Sequence, residues 1–257
     1  MHLLRRVWRS VLISFLFSVF GIGAILINYF IFPIISVFVK KGNRRQKFCA
    51  TIHKIWKYFT ELMKKTGLIK VNFTNPDKLE NLHGKIIVAN HPSFIDIVIL
   101  IGFLPNTLCI AKKEIKRNLV MGNIVKSLYL INDEDNKQML EESVEILNQG
   151  YNIIIFPTGT RTTEDEDMKL HKGAALMALH SGANLIPIHI SCDTKFLAKH
   201  QKFYDAGEKT PTYTITANNE IKISDFEEQN LTQIQKRNRV NQAINCLLYT
   251  SDAADEL

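Results

Sequence analysis

Residues 85–96 read KIIVANHPSFID, and this stretch decides the fold. Ile86, Ile87, Val88 and Ala89 form an apolar run rich in β-branched side chains. Such a run, too short for a helix, predicts a buried strand. Pro92 ends it, because its ring lacks the N–H a ladder needs and biases His91 toward an extended backbone. Residues 95–102, IDIVILIG, then continue as an apolar helix. Strand, sharp turn and helix form the repeating unit of an α/β sheet.

The same alternation runs through the chain from Gly84 onward. Strands are expected at 85–89, 107–111, 152–156, 184–190, 212–216 and 220–223. Helices are expected at 95–102, 115–128, 136–149, 171–181 and 229–245. The expected fold is therefore α/β: a mostly parallel sheet flanked by helices, with an antiparallel edge and an N-terminal membrane-embedded helical segment. No internal repeat or low-complexity linker interrupts it. Three segments follow: a membrane helix or hairpin plus an amphipathic helix at 1–66, an α/β domain at 67–245, and a tail at 246–257.

Residues 10–39 contain no Asp, Glu, Lys, Arg or His. As a helix they extend roughly 45 Å, more than the ~30 Å hydrocarbon core of a bilayer. The run is too long for a signal-peptide core and carries no Ala-x-Ala cleavage site. A buried soluble helix is the rival reading. Arg5, Arg6 and Arg9 precede the run, and Lys40, Lys41, Arg44, Arg45 and Lys47 follow it. Basic residues favour the cytoplasmic side. Both a tilted single span and a hairpin bent near Gly21–Gly23 fit, and either leaves the following domain facing the cytoplasm at the inner membrane. Residues 48–66 interleave Ile52, Ile55, Trp56, Phe59, Leu62 and Met63 with lysines. That pattern suits a helix on the membrane or one packed on the domain.

Residues 246–256, CLLYTSDAADE, read as the in-frame translation of a transposase-type sequencing adapter, and are expected to be foreign to the protein. The formal net charge is +7 over all 257 residues. Leaving out Asp252, Asp255 and Glu256 lowers the acids from 25 to 22 against 32 bases, giving +10. A basic balance suits anionic partners. The basic residues flank the apolar run and do not interleave with exposed aromatics, which argues against nucleic acid. Without Cys246, the remaining Cys49, Cys109 and Cys192 are scattered, with no metal or disulfide spacing. They read as reduced, buried thiols of a cytosolic compartment.

Two corners carry chemistry. In 90–96, NHPSFID, His91 and Asp96 diverge on one continuous helix but can meet across a strand–turn–helix corner. A carboxylate on one imidazole nitrogen fixes the tautomer and leaves the other nitrogen as a base. Acyl transfer to an alcohol needs such a base, since a free hydroxyl is a weak nucleophile. No Gly-x-Ser-x-Gly occurs in the chain, so direct attack by a bound hydroxyl is more economical than an acyl-enzyme. In 156–161, FPTGTR, Pro157 turns the chain after another apolar strand. Gly159 permits the positive φ that lets backbone N–H groups converge on an anion, and Arg161 can grip a phosphate.

Together these corners make the chain resemble the 1-acylglycerol-3-phosphate acyltransferase family. Residues 90–96 match its Asn-His-x4-Asp block. Residues 156–161 match its Phe-Pro-Glu-Gly-Thr-Arg block everywhere except Thr158. Ala111-Lys112-Lys113-Glu114 matches Ala-Lys-x-Glu, residues 171–175 match a Lys-Gly-Ala helix start, and 185–188 supply an Ile-Pro. The resemblance covers roughly 47–223. It implies His91 as general base and Asp96 as its orienter. It implies Gly159, Thr160, Arg161 and Lys112 as the site for the acceptor phosphate. It implies no metal and no cofactor: the partners are the bilayer, a lysophospholipid acceptor, and acyl-carrier protein or coenzyme A as the thioester. Two departures matter. Thr158 stands for the family's Glu, and Asn132 ends the run 129–132 where the family carries Arg. Rival readings are a same-fold enzyme for another acceptor and a membrane protein that kept the fold without catalysis. Should His91 not be the base, His180 and His189 are the alternatives.

Overall fold

The computed structural model describes residues 2–112, 122–132, 136–162, 170–227 and 230–249. Among them, seven strands form one sheet: β1 (Lys70–Thr74), β2 (Ile86–Ala89), β3 (Thr107–Lys112), β4 (Tyr129–Asn132), β5 (Asn152–Ile155), β6 (Leu185–Cys192) and β7 (Thr212–Ala217). Their spatial order is β1-β7-β6-β2-β5-β3-β4. All pairings are parallel except β6 with β7. The sheet is thus mostly parallel with an oppositely running β7–β1 edge. Central β2 and β5 are buried at every position, while β1 alternates exposed and half-buried residues. This contrast is what burial on both faces, against burial on one, requires.

The helices are α1 (His2–Leu26), α2 (Phe32–Phe38), α3 (Arg44–Lys65), α4 (Asp96–Phe103), α5 (Gly122–Leu128), α6 (Asn136–Asn148), α7 (Gly173–Ser181), α8 (Ser224–Glu227) and α9 (Gln233–Tyr249). The expected helix at 115–128 is described only from Gly122. The expected strand at 220–223 reduces to one antiparallel bridge, Leu185 with Ile221. The Asn184 side chain accepts from Ile223 N–H at 3.1 Å, and the chain turns into α8. Helix α9 continues through Cys246–Tyr249 with Leu248 buried.

Of the two N-terminal arrangements open from sequence, a single long helix forms and the hairpin does not. There is no bend at Gly21–Gly23, which lie inside α1. The helix runs on to Phe38 through a π-turn at Ile27–Ile31. Pro33 has no N–H to give the preceding turn, and a π-turn absorbs such a break without ending the helix. Reversal comes at Val39–Asn43, where the chain enters α3. Residues Leu4–Phe38 form a helix long and apolar enough to cross a membrane. One face, with Ile13, Leu16, Ala24, Ile27, Phe32 and Ile35, is buried on the domain, while Trp8, Phe15, Ile22, Phe30 and Phe38 are exposed. Helix α3 packs its apolar stripe on α4 and on the N-terminal helix; Phe32 stacks on Phe48, and His53 Nδ1 lies 2.8 Å from Ile101 O. Arg9, read above as part of a basic flank, is buried. It donates to Gly67 O, Leu68 O, Ala206 O and Thr210 Oγ1, and so pins α1 to the domain.

Candidate active site

Strand β2 ends at Ala89, and the next residue fixes the corner. The Asn90 amide donates to Ile190 O at 2.8 Å and accepts from Ile190 N–H at 2.6 Å, extending the β2–β6 pairing through a side chain. His91 therefore leaves the sheet from an anchored backbone, and its carbonyl accepts from Thr162 N–H at 2.9 Å. Its ring stacks on Phe156, with centroids 4.3 Å apart.

His91 Nδ1 lies 2.9 Å from Asp96 Oδ2. Asp96 is fully buried at the first position of α4, a place where the helix dipole favours an acid. The same oxygen accepts from Ser93 N–H at 2.8 Å, and Oδ1 accepts from Ser93 Oγ at 3.0 Å. Ser93 Oγ is in turn reached by the Tyr213 hydroxyl at 2.9 Å, which also lies 3.2 Å from Phe196 O. Burial pushes the Tyr213 phenol up, so it remains a neutral donor. The carboxylate is thereby held by three donors, and the imidazole's Nε2 is left for a reactant. Ser93 and Tyr213 were not singled out by sequence. Ser93 sits inside the motif, but Tyr213 comes from β7 with no local signal.

His91 opens on a cavity of about 680 Å³, within the size range of small-molecule sites. Its apolar wall includes Phe20 of α1, Trp56 of α3, Phe94, Val98 of α4, Met139 of α6 and Leu176 of α7. Gly159, His171, Lys172 and Arg237 add polar edges. Phe17 and Phe20 of α1 also meet Phe94 directly, at 5.9 and 6.4 Å between centroids, so the N-terminal helix forms part of the site. Cys109 lines the cavity too, but burial pushes its thiol up, which leaves it a poor nucleophile. Among the described residues no group of three His, Cys, Asp or Glu could hold a metal ion.

The second corner is a tight turn. Gly159 N–H donates to Phe156 O at 2.9 Å, and Gly159 has φ +65°. That value is open to glycine and strained for a side chain. Thr158 is buried and donates to Thr160 O at 2.9 Å, closing the loop on itself. Thr160 is exposed and lies off the cavity wall. Arg161 is also off the wall; its Nη1 donates to Leu197 O and Ala198 O at 3.0 and 3.1 Å. Lys112 is the last residue of β3, and its side chain lies outside the described residues, as does that of Asn132. His180 is exposed and His189 Nδ1 lies 2.6 Å from Leu248 O; neither lines the cavity.

Residues 70–191 match the family model described as Acyltransferase. A 1-acyl-sn-glycerol-3-phosphate acyltransferase of Bacillus subtilis is 31% identical over 137 residues, covering 51% of this chain and 64% of that protein. One of Helicobacter pylori is 36% identical over 101 residues, covering 37% of this chain and 43% of that protein. The match thus spans less than two thirds of either relative. The crystal structure of the 1-acyl-sn-glycerophosphate (LPA) acyltransferase, PlsC, from Thermotoga maritima superposes with a TM-score of 0.70 over 95% of each chain. At 18% identity that likeness concerns the fold.

Proposed function

We propose that this chain, whose residues 70–191 match the acyltransferase family model, moves a fatty acyl group from acyl-carrier protein or coenzyme A to the free hydroxyl of a lysoglycerolipid. The acceptor we assign is lysophosphatidate, giving phosphatidate in phospholipid synthesis. The observation that carries this reading is the His91–Asp96 pair at the edge of a large apolar cavity whose wall includes the N-terminal helix. A base beside an apolar chamber suits a reaction between a hydroxyl and a long-chain thioester. Each acyl methylene buried there contributes about 0.8 kcal/mol.

In the proposed step, His91 Nε2 takes the acceptor's hydroxyl proton as its oxygen attacks the thioester carbonyl carbon. Asp96 holds the imidazolium through Nδ1. Collapse of the tetrahedral intermediate breaks the carbon–sulfur bond, and the departing thiolate takes the proton from Nε2. Ester and free thiol are the products, and no metal or cofactor is needed. The exposed apolar face of the N-terminal helix supports a cavity at the bilayer, where acceptor and acyl chain reside, and in this reading the domain faces the cytoplasm at the inner membrane.

His91→Ala tests the reading. Acyl transfer from a labelled thioester to lysophosphatidate, with the protein in membranes, should fall by ~10²–10⁴-fold, the usual worth of a positioned general base. Asp96→Asn should lose a similar or smaller factor. Retention of more than about a tenth of the rate by His91→Ala removes the base assignment. A second reading, the same chemistry on another lysolipid or a specialised lipid, is favoured by Thr158 in place of the family's Glu. A panel of lipid acceptors decides between the two.

A further inference from the structure

We propose that Lys172, Arg237 and the open first turn of α7 form an anion site on the cavity, and that it takes a phosphate ester carried by one of the two substrates. This deepens the acyltransferase reading and rests on it for the identity of the ligand, though not for the site itself. Three observations converge. His171, Lys172, Gly173 and Ala174 all line the cavity, so the start of α7 faces it. Among the described residues no side chain caps that helix, and nothing lies within 4 Å of where a Gly173 Cβ would stand. Among the described residues, no group thus faces its first N–H groups and positive dipole end.

The second observation is charge. Lys172 and Arg237 both line the cavity, and among the described residues neither pairs with a carboxylate. Lys172 Nζ donates to Asn238 Oδ1 at 2.9 Å, a contact that holds it between α7 and α9. The third is an orphan: Nε of the half-buried Arg237 has no hydrogen-bond partner among the described residues. A buried charged donor without an acceptor is costly and calls for an explanation. An anion seated between Arg237, Lys172 and the α7 N-terminus supplies one, as guanidinium and helix N-terminus both favour phosphate.

The site is distinct from Arg161, whose Nη1 is occupied by Leu197 O and Ala198 O and which does not line the cavity. Arg237 also lies outside residues 70–191, the stretch that matches the family model. The acceptor's phosphate and the phosphates of the donor's pantetheine arm share the chemistry this site recognises.

The experiment has two arms on the full-length protein in detergent. In the first, inorganic phosphate is titrated while the melting temperature is followed. It should raise that temperature for wild type and for His91→Ala, and the rise should be lost or sharply reduced in Arg237→Gln and in Lys172→Gln. This arm needs no turnover, so it stands even if acyl transfer is never observed. No stabilisation of wild type, or an equal rise in all four proteins, overturns the site. Should Arg237→Gln fail to fold, Lys172→Gln decides alone, since Lys172 is exposed. In the second arm, KM is measured for each substrate separately. A rise of about ten- to a hundredfold for the acceptor alone assigns its phosphate, and the same rise for the donor alone assigns the pantetheine phosphate. Unchanged KM for both overturns the substrate role.

Discussion

At the scale of single residues, the proposed chemistry lies in six consecutive positions, His91 to Asp96, that the sequence makes legible and in partners that it does not. The spacing of His91 and Asp96 announces a pair able to meet across a corner, and they do meet, at 2.9 Å. The supports of that pair come from elsewhere: Tyr213 on β7 and Ile190 on β6 are brought in by strand order alone. No periodicity or motif encodes such contacts, because they depend on which strands become neighbours. Arg161 illustrates the same limit. Its position in 156–161 suggests a phosphate ligand, yet its Nη1 braces the 197–198 backbone. The two roles separate kinetically. As a ligand, Arg161→Ala raises KM for a phosphate-bearing acceptor by about ten- to a hundredfold, the worth of a charged hydrogen bond, and leaves the donor's KM alone. As a brace only, it lowers the melting temperature and moves both KM values together. We expect the brace result, because Arg161 does not line the cavity and its Nη1 is taken by the 197–198 backbone.

Elements were read well where one period dominated and poorly where the environment was mixed. Strands β2, β3, β5, β6 and β7 and helices α4, α6, α7 and α9 fall within a few residues of expectation, since buried parallel strands and apolar helices carry strong patterns. Strand β1 has an exposed and half-buried alternation, and β4 follows α5 at Leu128 with no turn residue between them, so neither carried a signal above its surroundings. The crossing of α3 and α4 was equally invisible. Gly102 lets them approach so closely that a Cβ there would stand 2.9 Å from Lys57 N and 3.0 Å from Trp56 C. Both are backbone atoms, which cannot swing aside. Gly102→Ala should therefore push α3 outward at about 1–3 kcal/mol, the usual cost of overpacking. Trp56 sits on α3 and walls the cavity. The variant should thus melt earlier and also change its preference among acyl donors of different chain length. Earlier melting with an unaltered chain-length profile would show that Trp56 does not shape the acyl chamber.

At the scale of the whole molecule, alkali acts on the buried thiols and phenol of the α/β domain but not on the apolar side chains of the N-terminal helix, which makes membrane attachment testable. Burial pushes the Cys49 thiol up to about 12, and burial raises Cys109, Cys192 and Tyr213 as well. In the unfolded chain these groups ionise at ordinary values, near ~8.5 for thiols and ~10 for the phenol. The native fold favours their neutral forms. Their contribution to stability is therefore complete below ~8.5 and is lost as pH rises from there toward the folded-state values. Alkali should thus loosen the domain, including the Arg9 contacts that tie α1 to it. The exposed side chains Trp8, Phe15, Ile22, Phe30 and Phe38 of Leu4–Phe38 carry no ionisable group and are held by apolar transfer from water. Salt screens surface charge within about a Debye length and so removes attachment through the basic residues alone. The expected outcome is that membranes washed first in high salt and then in alkali keep the full-length chain in the pellet. Limited proteolysis of the alkaline pellet should degrade the α/β domain while sparing a fragment around residues 4–38. Release of intact chain into the alkaline supernatant would mean that α1 and α2 are held by the domain and not by lipid.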